Sequence, residues 1–578
     1  MILQALTSYY GRISEEDGSA IAPEGFEKKE IPFVIVLDRE GNFKGIDDTR
    51  SGEGKKGNAR KFLVPKAVKK SANIAANLLW GNPEYVLGKP RPGTEGDHRK
   101  VEKVRERHMS FIEKLEAFDV VDAGVSAVLR FLNNGDFSGV LSHPAWPEME
   151  KGGRDISFRL EGDDALVSQR DAVRKAVASS DLKEEDDKLY QCLISGYMES
   201  PARLHSPIKG VWGAQPSGAN IVSFNLPAFQ SFGKTRGFNA PVGKKAEHAY
   251  TTALNKLLAR DSRQRIRIGD SSTVFWTEKP NKMEDWFKDF FGEPARGESE
   301  QDNEALRALY RAPETGAPPL DNDLTRFYVL GLSPNASRIA VRFWYDGTVG
   351  EVAKNIKQHF QDCAIVHGPK EREHLSLFRL LVSTALQGKA DNIQPNLAGE
   401  VVKSILTGTP YPQTMLSSAV RRTRAERDIT YPRASLIKAC LVRDSRYYKK
   451  RGKEVSMALD QGNANVGYRL GRLFSTLEKI QEEANPGINS TIRDRFYGAA
   501  SSTPVTVFPH LMKLKNHHLA KLENRGRAVN LERLVGEIMG GVDDFPAHLS
   551  LPDQGRFAVG YYHQRQDFFT KKTTGKEE

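Results

Sequence analysis

The chain has 578 residues, with 85 Lys and Arg against 74 Asp and Glu, a net charge of +11. At about 150 residues per domain this length predicts three or four domains and a substantial core. The basic excess suits a polyanionic partner, while three scattered cysteines, Cys192, Cys363 and Cys440, exclude a disulfide framework or a metal finger and fit a reducing compartment.

The start, MILQALTSYYGRISEEDG, lacks a basic n-region and a long apolar core, and no run of about 18 apolar residues occurs. A cytoplasmic chain without a membrane span is expected. Residues 2–13 predict a helix with Ile2, Leu6 and Tyr9 or Tyr10 on one face. FVIVLD, Phe33–Asp38, predicts a buried strand, and Phe43–Ile46 its hairpin partner across REGN.

The first charge anomaly follows. Between Lys44 and Lys70 stand nine cations, among them Lys55, Lys56, Arg60, Lys61, Lys69 and Lys70, against Asp47, Asp48 and Glu53. Asn73, Asn77 and Asn82 come next, with Trp80. Lysines neutralise phosphates and amides read base edges, a pairing that minor-groove readers use. A solvated lysine loop beside a helix cap accounts for the same residues.

Residues 95–133 predict charged helices, and 156–160 and 190–196 predict strands. Ile208–Asn255 is the least ordinary stretch. Gly210, Gly213 and Gly218 mark a tight loop, Ile221–Asn225 reads as a strand, and Gly233, Lys234, Arg236, Gly237 and Asn239 form a second polar loop. A helix is expected over 244–258. Gln215, Asn220 and Asn239 suit base edges, and Lys234 and Arg236 suit phosphates. A turn-rich connection between core elements would use the same residues.

A hairpin is expected over 265–277, a Glu-, Gly- and Pro-rich linker over 293–323, and a second hairpin over 325–345, with Arg338 and Arg342 sharing one face. Residues 350–362, 371–386 and 397–406 read as amphipathic helices. The second charge anomaly, Arg421–Lys453, holds twelve cations, including Arg421, Arg422, Arg424 and Arg427, against three acids. That density favours phosphate binding over a merely solvated face, the alternative for the same residues. From Met457 onward, Val466, Leu470, Leu473, Leu477 and Ile480 open a helical bundle.

Signatures of catalysis are missing. GKT at Gly233–Thr235 has Ala228 where a phosphate-binding loop needs glycine, and the glycines at 210, 213 and 218 do not fit dinucleotide spacing. His367 and His374 lie near Glu371 and Glu373 without a third ligand, and no nucleophile elbow or HExxH occurs. No catalytic residue, metal or cofactor is expected.

MILQAL…YY, FVIVLD, NLLWGNPEYVLG, IVSFNLPAFQSFGK…NAPV…AYTTALN, FYVLGLSPNASRIAVRFW and FAVGYYHQRQDFF together resemble the large subunit of the type I-C CRISPR Cascade surveillance complex, the Csd family. The resemblance runs nearly the whole chain in order. It implies an α+β protein, an irregular mixed α/β N-terminal body with a C-terminal all-α helical bundle. The expected division is 1–292, the linker, 324–456 and a small-subunit-like 457–578.

The resemblance also implies a non-enzymatic role. Guide RNA pairs with the target strand, while this subunit reads a short flanking motif (PAM) in double-stranded DNA. It helps open the duplex into an R-loop and supports the displaced strand. The implied partners are CRISPR RNA, target DNA, the Cascade backbone, guide-end handle and small subunits, and the helicase-nuclease. Motif readers are then expected among Asn73, Asn77, Lys55, Lys56, Lys69, Lys70, Gln215, Asn220 and Asn239. Backbone contacts are expected from Arg60, Lys61, Lys234, Arg236 and the Arg421–Arg427 cluster. In this family the small subunit is made from an internal start, which here falls on Met457. The alternative is an RNA-binding enzyme that processes the CRISPR RNA precursor, which cleavage of repeat RNA by the purified chain would reveal.

Overall fold

The computed structural model describes residues 1–16, 22–51, 58–68, 74–94, 96–152, 154–180, 189–291, 323–394, 396–450 and 455–569. They form an α+β protein with two compact units, both discontinuous in sequence. The smaller holds 10–203 and 230–252; the larger holds 1–9, 204–229 and 253–578. The helices α1, Ile2–Glu16, and α4, Lys244–Leu257, each begin in one unit and end in the other. These units differ from the expected serial division, and most of the expected linker lies outside the described residues.

In the smaller unit, β2 (Phe33–Leu37) is the hub. It pairs antiparallel with β3 (Phe43–Asp48) and parallel with β8 (Ile156–Leu160), and β7 (Trp80–Gly81) completes the order β3-β2-β8-β7. FVIVL is apolar throughout because both faces are covered. Phe33, Ile35, Leu37 and Phe158 pack on α2 (His98–Glu116) and α3 (Ala123–Asn134), through Phe111, Val128 and Phe131. On the other face Val34 meets Phe62 and Val64 of a two-stranded ribbon, β1 (Phe26–Glu30) with β6 (Lys61–Pro65). The pair β4 (Arg50–Ser51) and β5 (Asn58–Ala59) flanks it. The strand expected over 190–196 shrinks to β9 (Tyr190–Gln191), paired with β10 (Met198–Glu199). The chain turns at once because Cys192 Sγ accepts from the backbone N–H groups of Ile194, Ser195 and Gly243.

The larger unit is built on a four-stranded antiparallel sheet, β11 (Arg265–Ile268), β12 (Ser271–Thr277), β13 (Arg326–Asn335) and β14 (Arg338–Thr348), in that order. Phe275, Phe327, Val329 and Phe343 face one continuous core shared with α5 (Met283–Phe291), α6 (Val349–Cys363) and α7 (Leu397–Thr407). A capping box starts α6: Thr348 Oγ1 accepts from Glu351 N–H, and Glu351 accepts from Thr348 N–H. The expected shared face of Arg338 and Arg342 is lost to a bulge. Leu332 pairs with Val341 and Gly331 with Phe343, so Arg342 is the extra residue and its guanidinium reaches Asp270 at 3.1 Å. Ile221–Asn225 is not a strand. Among the described residues one backbone bridge, Asn220 to Arg338, and the Arg338 guanidinium donating to Asn225 Oδ1 at 2.6 Å tie this region to the sheet edge, and one bridge makes no ladder. Of the helix expected over 371–386, only Leu377–Val382 forms, started by the Ser376 side chain accepting from Arg379 N–H.

The same core continues through α8 (Gln413–Glu426) and α9 (Tyr431–Tyr447) into α10 (Val466–Ala484), α11 (Ile492–Ala500), α12 (Phe508–Lys521), α13 (Arg525–Met539) and α14 (Leu551–Phe569). It holds a polar seam. His359 Nδ1 lies 2.5 Å from the Tyr411 hydroxyl, and His563 Nδ1 lies 2.9 Å from the Tyr468 hydroxyl. Burial, helped by the charges of Arg443 and Lys438 respectively, pushes both histidines down to about 3. Their unfolded pKa is about 6.5, so on acidification the unfolded chain takes up these protons first. Stability is expected to be full above pH 6.5 and to drain towards pH 3, by roughly 1 kcal/mol per pH unit for each histidine. Urea denaturation between pH 7 and 5 checks this, and His563→Gln should flatten the dependence.

No helix among the described residues is long and apolar enough to cross a membrane.

Candidate nucleic-acid interface

In the larger unit the backbones of Ile208 and Ala219 exchange hydrogen bonds of 2.8 and 2.9 Å and pinch off the glycine loop between them. Gly210 and Gly218 close it at positive φ, where a Cβ would meet Leu258 O at 2.5 Å and Ile208 O at 2.8 Å. Only glycine permits that approach. Gln215 stands exposed at the tip. Trp212, half-exposed, lies under the Arg267 guanidinium, 4.1 Å from its ring centre. Asn220 is turned inward instead, donating to His205 O at 2.9 Å, so it stitches the loop base.

In the smaller unit one amide shapes the second loop. Asn239 Oδ1 accepts from Ser231 N–H at 2.9 Å, and Nδ2 donates to Lys234 O and Arg236 O, both at 3.0 Å. Asn239 therefore braces the loop rather than presenting an edge. Within the brace, Lys234 N–H returns to Ser231 O at 2.9 Å, and both central residues, Phe232 and Gly233, have positive φ. That is the signature of a type I′ turn, which normally takes Asn and Gly. Phenylalanine there is strained by about 1 kcal/mol, and its side chain is 98 % exposed. Lys234 is exposed beside it and Arg236 half-exposed. At the loop base, a Cβ on Gly237 would overlap Ala202 O, so the loop is seated on backbone.

The first charge anomaly resolves into pairs and a remainder. Lys44 pairs with Asp38 at 3.1 Å, Arg50 with Asp48 at 2.5 Å and Lys66 with Glu247 at 3.2 Å. Arg60 and Lys61 are exposed. Asn77 is buried and its Oδ1 accepts from Val68 N–H at 3.0 Å, which corrects its expected place on a base edge: the amide is spent on the loop. Trp80 is also internal, donating to Pro65 O. Asn73, Lys55, Lys56, Lys69 and Lys70 lie outside the described residues.

The second anomaly splits by face. Arg433, Lys438 and Arg443 are buried along α9. Arg433 donates to Ser383 O and Asp428 O, Lys438 to Asp362 O, and Arg443 to the Tyr411 hydroxyl at 2.7 Å. Arg446 pairs with Asp362, and Lys450 with Asp444. These cations are engaged by the fold, with Arg443 Nη2 buried and without a partner, so the argument from crowding along the chain fails for them. Arg421, Arg424 and Arg427 remain exposed at the end of α8, while Arg422 leans on Glu426. Arg451 and Lys453 lie outside the described residues.

Among the described residues no cluster of three His, Cys, Asp or Glu is placed to hold a metal. His367 packs on Tyr431 and His374 on Phe360. Sequence reasoning missed Phe232. Its signal was an aromatic followed by glycine inside an otherwise polar loop.

A family model described as CRISPR-associated protein (Cas_Csd1) matches residues 6–569. No curated protein matches the chain.

Proposed function

The chain belongs to the Cas_Csd1 family of CRISPR-associated proteins, and from that premise we propose that it is the non-catalytic large subunit of a type I-C Cascade. In this reading it recognises the flanking motif in target duplex, opens the base pairs beside it and supports the displaced strand, while guide RNA reads sequence. Its partners are then CRISPR RNA, the other Cascade subunits and the helicase-nuclease. The observation that carries this reading is the braced Phe232 turn. An aromatic held out in solvent at a strained φ, with Lys234 and Arg236 beside it, matches the apolar wedge with flanking cations by which proteins unstack a base step. Among the described residues, Gln215 is the remaining exposed candidate for a base edge.

Permanganate footprinting of the assembled complex on target duplex tests the proposal. Thymines next to the flanking motif should become reactive only when the motif is intact. A target that stays fully paired, or one that opens equally with a scrambled motif, overturns it.

The exposed arginines of α8 suit the phosphates of the displaced strand or the guide–target duplex. Reversing Arg421, Arg424 and Arg427 to Glu together should weaken target binding about 100-fold at physiological salt and flatten the log–log salt slope by about 3. Thermal stability should hold, because all three are at the surface. Filter binding across a salt series checks it, and unchanged affinity rules these residues out.

A further inference from the structure

The second face of the smaller unit's sheet carries Val34 beside Asp47, and Val36 beside Arg159. The β1–β6 ribbon covers this face only in part. Where it ends, a cavity of about 380 Å3 opens over a floor of Val34, Phe62 and Leu166. This falls at the low end of the roughly 300–1,000 Å3 of small-ligand sites.

Its polar wall is unevenly satisfied. Asp48 is gripped by Arg50, with Nε donating at 2.8 Å, and Asp47 is paired with Arg159. Three groups keep spare capacity. Arg159 commits one guanidinium nitrogen to Asp47 out of its five N–H donors, Asp164 has no partner among the described residues, and the Arg60 guanidinium makes a ring contact, 5.1 Å from the centre of Phe62. The loop that carries Asp164 is fixed, because Arg170 ties Asp163 to Asp122 and Leu166 N–H donates to Gln169 at 2.9 Å.

This chemistry excludes the common small ligands. Asp47 and Asp48 are already neutralised by Arg159 and Arg50, which leaves Asp164 facing Arg60, one charge of each sign and a poor seat for either a phosphate or a bare divalent cation. A flat neutral ring suits an apolar floor edged by a guanidinium that already stacks on an aromatic. It must donate at one edge, towards Asp164, and accept at another, from Arg60 and Arg159. Guanine does both, with N1–H and N2–H₂ as donors and O6 and N7 as acceptors. Adenine sets its amino donor beside N7 where guanine has a second acceptor, uracil lacks the amino group, and cytosine carries its donor and acceptors on a single edge.

We propose that this cavity receives one extruded guanine of a single-stranded nucleic acid, its amino edge on Asp164 and its carbonyl edge on the arginines. Enzymes that flip bases read them in this way, by edge hydrogen bonds over an apolar or aromatic wall. The inference rests on the chain being a nucleic-acid-binding subunit. Guide RNA and a DNA strand present the same base, and sugar chemistry separates the two sources.

The test is fluorescence anisotropy of the full-length chain with labelled heptamers, three pyrimidines on each side of a central G or A. A ribose series uses U and a deoxyribose series uses T. The G heptamer of at least one series should bind roughly tenfold tighter than its A counterpart. The ribose series alone would assign the RNA, and the deoxyribose series alone the DNA. Asp164→Ala, at the surface, should erase the preference while keeping the affinity for the A heptamer within about twofold, and Arg60→Ala should erase the preference as well. Equal binding of G and A in both series overturns the guanine site and leaves nucleic-acid binding standing. Binding of neither overturns both. A preference that survives both substitutions places the base elsewhere and overturns the assignment.

Discussion

Replacing Phe232 with Ala should lower the assembled complex's affinity for fully paired target roughly 10- to 100-fold and leave binding to a pre-opened target unchanged. Stacking of one base on an aromatic side chain contributes about 1–3 kcal/mol, and unstacking a base step costs a few kcal/mol. A wedge therefore matters only while the step is still closed. A target with a two-base mismatch beside the motif has already met that cost, so the variant should match wild type there. The ring is 98 % exposed and its loss removes no core packing. Phe232→Gly sharpens the test, because glycine tolerates φ +52 while phenylalanine does not. That variant should fold slightly more stably, by about 1 kcal/mol, and open duplex as poorly as Phe232→Ala. Wild-type affinity of both variants for closed duplex would remove Phe232 from the opening step.

The value of that turn was not legible from residue types, and the reason is general. Asn239 was read as a base-edge amide because asparagine has a donor and an acceptor. The same property lets it bind three backbone groups of its own loop, and Asn77 and Asn220 each give one bond to a backbone group. A loop amide serves the nearest backbone groups first, since short polar side chains bond readily to the backbone of their own turn. Cation counts fail for a related reason. Linear density along Arg421–Lys453 does not say which side of α9 faces the core, and Arg433, Lys438 and Arg443 face it.

Periodicity did better. FVIVL, the hairpin around Gly269–Asp270, the paired runs 326–335 and 338–348 and the helix that Val466 opens form near their expected bounds. These patterns are local, and burial enforces them residue by residue. The two units were invisible because the chain crosses between them at 9, 203, 229 and 252 without any change of composition. Two of those crossings fall inside α1 and α4, where an unbroken helical pattern signals continuity.

Gly471→Ala should destabilise the larger unit by about 3 kcal/mol, although alanine is the better helix former. α10 and α14 run side by side in the same direction, with Gly467 against Asp553, Gly471 against Phe557 and Tyr561, and Gly560 against Tyr468. A Cβ on Gly471 would overlap Phe557 O, and one on Gly560 would overlap Tyr468 O. Backbone atoms stand on both sides, so no rotamer relieves the overlap and the axes must part. Parting them exposes Phe474, Phe557 and Tyr561, which meet across this seam at 5.9 and 6.2 Å. A lowered midpoint in thermal denaturation of the full chain checks this. A fragment made from an internal start would carry the same seam. Residues 457–578 hold both helices of the pair, and their charge is nearly balanced, 16 Lys and Arg against 14 Asp and Glu. They lack α8 and α9, whose Leu416 and Ile437 lie within 3.3 Å of where a Cβ of Gly555 would stand. A fragment started at Met457 thus exposes the α14 face that α8 and α9 cover and depends all the more on the α10–α14 seam. Mass spectrometry of the complex expressed from the intact gene should show a species of about 14 kDa. Met457→Leu should abolish it and keep the full-length chain. Gly471→Ala should deplete it more than the full-length chain, which has α8 and α9 to hold α14 in place. If no such species accompanies the wild type, the internal start fails, whereas a Gly471→Ala chain as stable as wild type would refute the close packing of the two helices.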